Sequence, residues 1–107
     1  MPDTTAVRAF LDDRHLALAA GIAEFVAREI APLPDPTTDD AARRQARDIV
    51  ERLGAGGWYG PIVDQDLRGC CLIRETLAAA SPLAEAVFAL QALGDMAIVR
   101  AGHEELR

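Results

Sequence analysis

The sequence predicts an all-α fold, a bundle of four helices with short connections and a fifth helix that starts at the C terminus. Three observations lead to this prediction. Half of the residues are apolar and only 5% are aromatic, and alanine and leucine predominate among the apolar ones. Four segments carry apolar residues at helical spacing, and prolines and glycines separate these segments. A chain of 107 residues is long enough for one domain.

The first helix is expected to open at Asp12 and Asp13, because carboxylates are favourable at the positive end of a helix dipole. Pro32, in a proline-rich corner, ends it. We therefore expect residues 1–11 to be a flexible lead-in and residues 12–107 to form the helical domain. The apolar line of this helix comprises Leu18, Ile22, Phe25, Val26 and Ile30.

The second helix has Thr38 as its predicted N-cap and Gly54 as its predicted left-handed stop. Residues 54–63 are rich in glycine and should be irregular. Trp58 and Tyr59 lie in this segment, and the sequence leaves two alternatives for them. Their rings either plug the core beneath a loop or face a ligand.

The third helix should begin at an N-cap formed by Asp64 or Asp66 and run to about Ala80. Ser81 and Pro82 then start the fourth helix, since serine caps well and proline fits the first helical position. The fourth helix is expected to end at Gly102.

This fourth helix is apolar on nearly all of its faces, so we expect it to be the central helix of the domain, with other parts of the protein enclosing it on most sides. Gly94 inside it indicates a kink or the close approach of another helix or a ligand. Residues 103–107 begin a further helix at which the sequence stops. We therefore expect these 107 residues to be part of a longer polypeptide.

Charge and composition exclude several kinds of partner. The formal net charge is −6, every cation is an arginine, and no basic run occurs, which argues against nucleic acid. No segment has the length and apolarity of a transmembrane span, and the N terminus lacks a signal pattern, so a cytoplasmic location is expected.

The side chains that could bind a metal or take part in catalysis are expected to have structural roles instead. His15 and His103 are predicted surface residues near helix ends, and no metal-ligand spacing occurs. Cys70 and Cys71 are not expected to form a disulfide or share a metal ion, because neighbouring helical positions point about 100° apart. Both are predicted to be buried small hydrophobes in a reduced compartment. Glu75 lies among apolar neighbours and is predicted to be buried and paired. The sequence therefore predicts no catalytic residue in this chain.

The sequence contains four segments with recognisable patterns: FVAREIAP (25–32), LG with GWYGPI (53–54 and 57–62), CLIRETLA (71–78) and LGDMAIVRAGHEE (93–105). Together they resemble the N-terminal α-helical domain of the acyl-CoA dehydrogenase family. Their order and spacing carry the resemblance, which extends over nearly the whole chain. The departure is the stretch before the third helix, where the family has a longer acidic, glycine-rich loop that helps shape the far end of the acyl pocket.

The resemblance implies an FAD-dependent oxidoreductase that removes two hydrogens from Cα and Cβ of an acyl-CoA thioester. In the family a carboxylate base takes the α proton and FAD takes the β hydride, and the base and most FAD contacts lie in later domains. The parent would be a homo-oligomer that uses an acyl-CoA-type substrate, and this piece alone would be inactive. The N-terminal helices cover the acyl end of the substrate.

The resemblance also places substrate-lining residues on the fourth helix, although core packing is an equal explanation for each of them. A second hypothesis is a free-standing helical binding or assembly subunit that pairs with a flavin-carrying partner. A third is a generic helical interaction domain. The expected lining residues are Ala89, Leu90 and Leu93, followed by Phe88, Gln91 and Gly94.

Overall fold

The computed structural model describes the backbone of residues 12–101 and the side chains of residues 12–95, 97 and 98. This range is mainly helical and contains no strand, so the predicted all-α fold is confirmed. The expected lead-in, the stop at Gly102 and the fifth helix lie outside the described residues. The helices are α1 (Asp13–Phe25, continued by a π-helical turn over Val26–Ile30), α2 (Asp39–Ala55), α3 (Gly60–Val63), α4 (Leu67–Ala80) and α5 (Pro82–Ala101).

The four long helices begin where the sequence predicts. Asp12, Thr38, Asp66 and Ser81 each accept a hydrogen bond from the backbone N–H three residues later, at 3.1 to 3.3 Å. Such a bond satisfies one of the N–H groups that a helix start leaves unpaired. Of the two caps considered for α4, the structure selects Asp66.

The predicted stop at Gly54 is wrong, because α2 continues to Ala55. The left-handed residue is Gly57, with φ of +78°. The backbone N–H of Trp58 donates to the carbonyl oxygen of Leu53 at 3.0 Å, which closes the helix end around that glycine. The sequence offers several glycines here, and only the hydrogen bonds of the last turn decide which one ends the helix.

Trp58 and Tyr59 pack inward, as the hydrophobic-plug alternative requires. The indole ring lies 5.4 Å from the ring of Phe25, centroid to centroid. The Tyr59 ring stacks on Phe88 at 6.0 Å, and its hydroxyl donates to the carbonyl oxygen of Val50. These two rings therefore join α1, α2 and α5 across the core.

The helices form a flat assembly. Its narrowest extent is 19 Å, about two helix diameters, and its radius of gyration is 14.2 Å. A compact chain of this length would have a radius of gyration of about 13 Å. Helix α4 packs against α1, α3 and α5, while α5 packs against α2, α3 and α4. The core between them comprises Ile22, Phe25, Val26, Ile30, Ile49, Leu53, Ile62, Cys70, Ile73, Leu77, Ala84, Val87 and Phe88.

The prediction that α5 is enclosed on most sides is wrong for the described residues. Its core face carries Ala84, Val87 and Phe88, all buried. On the opposite flank Leu90 and Leu93 are 69% and 73% exposed. An assembly about two helices thick can cover only one face of each helix, so the second apolar face of α5 remains open.

Candidate functional site

An apolar groove lies between α4 and α5. Its volume is about 450 Å³, within the roughly 300–1,000 Å³ typical of small-molecule sites. One lining residue, Arg74, is charged; the others are aliphatic or carry a thiol. The lining residues are Leu67, Cys70, Cys71, Arg74, Ala89, Ala92 and Leu93.

Helical spacing explains why these residues share one groove. Residues 67, 70, 71 and 74 recur at intervals of three and four, so they form one stripe on α4. Residues 89, 92 and 93 form the facing stripe on α5. Because Ala89 and Ala92 end at Cβ, the two helices leave open space between them where larger side chains would close it. The groove is therefore suited to a narrow apolar chain.

Two of the six expected lining residues, Ala89 and Leu93, line this groove. Leu90 lies on the exposed flank, and Gln91 is half-buried beside it. Phe88 is fully buried in the core against Tyr59. A role of all six residues in substrate binding stays a prediction.

Gly94, the sixth expected lining residue, is exposed, and a Cβ added there would meet no atom within 4 Å. Another helix therefore does not approach it closely among the described residues. The structure thus removes one of the reasons that the sequence offered for a glycine at this position.

A second, shallower pocket of about 280 Å³ adjoins the groove and shares two of its walls. Arg74 bridges α4 and α5 there, because its Nε and Nη2 both lie 2.8 Å from Oε1 of Glu85. Glu75 lines the same pocket and is exposed, so the prediction of a buried, paired Glu75 is wrong. Ala78, one of its apolar sequence neighbours, lines the same pocket, but this open pocket leaves Glu75 exposed. The pocket is lined by Cys71, Arg74, Glu75, Ala78 and Glu85.

The two adjacent thiols have different surroundings. Cys70 is buried, and burial, together with the negative charge of nearby Asp66, raises its pKa to about 11. Cys71 is exposed in the groove wall, so the prediction that both thiols are buried is wrong for this one. The 100° between neighbouring helical positions separates them. Among the described residues, no cluster of histidine, cysteine and carboxylate side chains suits a metal ion.

His15 was predicted at the surface, and that prediction is wrong: its side chain is fully buried. Its Nε2 lies 2.9 Å from Oδ1 of Asp66, and its Nδ1 accepts from the backbone N–H of Asp12 at 3.3 Å. Asp66 also accepts the N–H of Gly69, so one carboxylate caps α4 and holds α1. The contact fixes the start of α4 next to Leu67, at one end of the groove.

The helical position of His15 is a sequence signal for its burial. His15 lies three residues before Leu18 and four before Ala19, in line with the buried face of α1 that continues through Ile22. Its partner is 51 residues away, and no local pattern identifies that partner. The charged neighbours of His15 in sequence therefore suggested exposure, while its helical position placed it inside.

The lining of the groove does not fit a flavin dinucleotide. FAD carries a pyrophosphate that needs several N–H donors, often at a helix N terminus. The start of α4 is the helix end next to the groove, and the Asp66 carboxylate already accepts one of its N–H groups, that of Gly69. The groove itself offers one guanidinium. This surface suits an alkyl chain and lacks the donors that a flavin dinucleotide requires.

No helix within residues 12–101 is both long and apolar enough to cross a bilayer.

Comparison with known proteins gives a family match: the family model described as acyl-CoA dehydrogenase, N-terminal domain, matches residues 12–107. No curated protein and no solved structure match the chain significantly.

Proposed function

Because the chain belongs to the acyl-CoA dehydrogenase family through its N-terminal domain, we propose that it forms the acyl-chain wall of an enzyme that dehydrogenates acyl-CoA thioesters. The reaction would remove two hydrogens from Cα and Cβ of the acyl group. The family is generally flavin-dependent, and FAD would supply the electron acceptor in the parent enzyme or assembly. The single observation that carries the proposal for this chain is the apolar groove between α4 and α5.

The groove supports an alkyl ligand in three ways. Its walls are almost entirely apolar, so methylene groups would leave water on entering it, at about 0.8 kcal/mol each when fully buried. Its width depends on Ala89 and Ala92. Leu93 is 73% exposed at its edge, so a bound chain would cover an apolar side chain that the described residues leave in solvent.

The remainder of the parent chain, or a partner subunit, would cover the open flank of α5. Leu90 lies on that flank with 69% of its surface exposed. A homo-oligomeric parent enzyme, which the family membership supports, and a cytoplasmic location are also part of the proposal.

The test starts from the native polypeptide that contains these residues. Its intact mass, its flavin absorbance and the formation of a 2-enoyl thioester from saturated acyl-CoA substrates should be measured together. We expect a yellow protein much heavier than 11.5 kDa that forms the enoyl product. A native product of 11.5 kDa that co-purifies with a flavin-carrying chain would instead support the assembly subunit.

The isolated 107-residue chain is the control. Since the family's catalytic base and most of its FAD contacts lie in later domains, it should neither hold FAD through gel filtration nor oxidise an acyl-CoA. Flavin that stays with the purified chain would contradict this assignment of roles.

A further inference from the structure

Cys71 lies where two cavities meet. It lines the apolar groove of about 450 Å³ and also the adjoining pocket of about 280 Å³, a position that it shares with Arg74. Its side chain is exposed and forms no disulfide. A ligand that fills the groove up to this junction therefore has one of its ends next to an accessible thiol.

A second thiol faces the same groove. Cys70 is only 7% exposed, lines the groove beside Cys71, and its thiol has no hydrogen-bond partner among the described residues. Burial raises the pKa of the Cys70 thiol to about 11, so this thiol stays protonated at neutral pH. One sulfur of the groove wall is thus a packing surface for an alkyl chain, and the other is open to reaction.

The two cavities differ in the same way as the two parts of an acyl-CoA thioester. On the groove side, Leu67, Ala92 and Leu93 offer aliphatic surface to an alkyl chain. On the other side, the pocket contains the carboxylates of Glu75 and Glu85, whose oxygens are hydrogen-bond acceptors. The pantetheine arm of CoA is uncharged and carries amide N–H donors. With the chain on one side and this arm on the other, the thioester carbonyl carbon lies at Cys71.

We propose that Cys71 accepts the acyl group of an acyl-CoA thioester and that the transferred alkyl chain then fills the groove. This inference rests on the proposed function, because it uses the same alkyl ligand. It adds a form of regulation, since a groove that is filled by a covalently held chain admits no further substrate.

The reaction is an exchange of one thioester for another. The Cys71 thiolate attacks the carbonyl carbon, a C–S bond to Cys71 forms, and the C–S bond to CoA breaks. CoA leaves as a thiolate and takes up the proton that Cys71 released. Because nothing is oxidised or reduced, the step needs no further reactant, and free CoA reverses it.

Proximity supplies the rate of this exchange. Cysteine is the side-chain nucleophile that needs the least activation at neutral pH, and holding two reactants together raises their effective concentration. Each methylene group that the groove buries strengthens binding by up to about fourfold. Long acyl groups should therefore react with Cys71 faster than short ones.

The test incubates the native enzyme with saturated straight-chain acyl-CoA thioesters, from butanoyl to dodecanoyl, at equal concentrations well below saturation. Intact-protein mass spectrometry measures the addition of one acyl group, and peptide mapping locates it. We expect a hydroxylamine-sensitive adduct on Cys71 that forms roughly tenfold or more faster with dodecanoyl-CoA than with butanoyl-CoA. Turnover should fall as the adduct forms and recover when free CoA is added in excess.

Four variants separate the thiol from the groove. Cys71→Ala should form no adduct, whereas Cys70→Ala should still form it on Cys71. Ala89→Phe narrows the groove, so the ratio of the dodecanoyl to the butanoyl rate should fall to near one. Ala86→Phe, at an exposed position outside the groove, is the matched control and should keep the ratio. If Ala89→Phe does not fold, the ratio in the wild type and the result for Cys71→Ala still decide the question.

The outcomes distinguish this inference from the proposed function. Formation of the enoyl product without a Cys71 adduct would overturn the inference alone. An adduct that forms at the same rate for all chain lengths would also overturn it, because any exposed thiol reacts in that way. A chain-length-dependent adduct without enoyl product from any of these thioesters would overturn the proposed dehydrogenation and support the acylation.

Discussion

Replacing Asp66 by alanine should cost much more stability than replacing the N-cap Thr38, because the Asp66 carboxylate has two partners, one of them the fully buried His15. It accepts the backbone N–H of Gly69 at 3.1 Å and the imidazole Nε2 of His15 at 2.9 Å. Loss of an N-cap costs about 1 kcal/mol, and a hydrogen bond to a charged group is worth about 1.5–3 kcal/mol. We therefore expect Asp66→Ala to lower the free energy of unfolding by about 2.5–4 kcal/mol.

Thr38→Ala is the matched control. Thr38 accepts the N–H of Ala41 at the same 3.1 Å but is exposed, so its loss should cost only about 1 kcal/mol. Urea unfolding of the chain, followed by circular dichroism at 222 nm, gives both values. If Asp66→Ala costs no more than Thr38→Ala, the contact with His15 contributes nothing and the reasoning is refuted.

The same variant has a predicted pH dependence. Burial raises the pKa of the Asp66 carboxyl, but the hydrogen bonds from His15 and Gly69 and the charge of Arg14 lower it by more. Its pKa in the folded chain is therefore below the value in the unfolded chain. Its stabilising effect is complete above the unfolded pKa and is lost as the pH falls through the folded pKa. The difference between wild type and Asp66→Ala should be constant near neutral pH and shrink in acid.

Three further predictions concern α4 and α5. Phe88→Ala should lower the free energy of unfolding by about 3–5 kcal/mol because the ring is fully buried. Leu90→Ala on the exposed flank should change it by less than about 0.5 kcal/mol. Equal effects of the two variants in urea unfolding would contradict the placement of these two residues on opposite faces of α5. Iodoacetamide at pH 8 should label Cys71 and spare Cys70, because Cys70 is buried and its pKa is raised to about 11. Peptide mass spectrometry measures the labelling of each thiol, and preferential labelling of Cys70 would disprove this. Gly94→Ala should raise the melting temperature, since the methyl group meets no atom and alanine favours the helix by up to about 1 kcal/mol; a lower melting temperature would show an unseen close contact.

The helix starts could be predicted from the sequence, because each N-cap depends only on a side chain and a backbone N–H three residues apart. Ser81 with Pro82 is such a signal, and the structure places α5 directly after it. The end of α2 could not be assigned in the same way. Gly54 and Gly57 are equally permissive as residues, and the choice of Gly57 depends on the bond from Trp58 to Leu53.

Burial depends on which face of a helix the rest of the chain covers, and that is a tertiary property. Leu90 and Phe88 are both large apolar residues on α5, yet one is 69% exposed and the other is fully buried. Glu75 has apolar neighbours in sequence, yet its side chain is exposed. His15 shows the opposite error, since its partner Asp66 lies 51 residues away. Ala89 and Leu93, which the family resemblance suggested, lie in the groove wall, whereas no sequence pattern indicated the α4 wall opposite them. Substrate binding by these residues stays a prediction.

The central claim is that the space between α4 and α5 accommodates the acyl chain, and the most direct measurement is the chain-length profile of kcat/KM in the native enzyme carrying Ala89→Phe. Ala86→Phe is the control, since Ala86 lies one turn earlier on the same helix and is exposed outside the groove. We expect Ala89→Phe to lower kcat/KM for long acyl thioesters at least tenfold, to spare short ones, and so to move the optimum to shorter chains. An unchanged profile in Ala89→Phe, or the same shift in Ala86→Phe, would contradict the assignment.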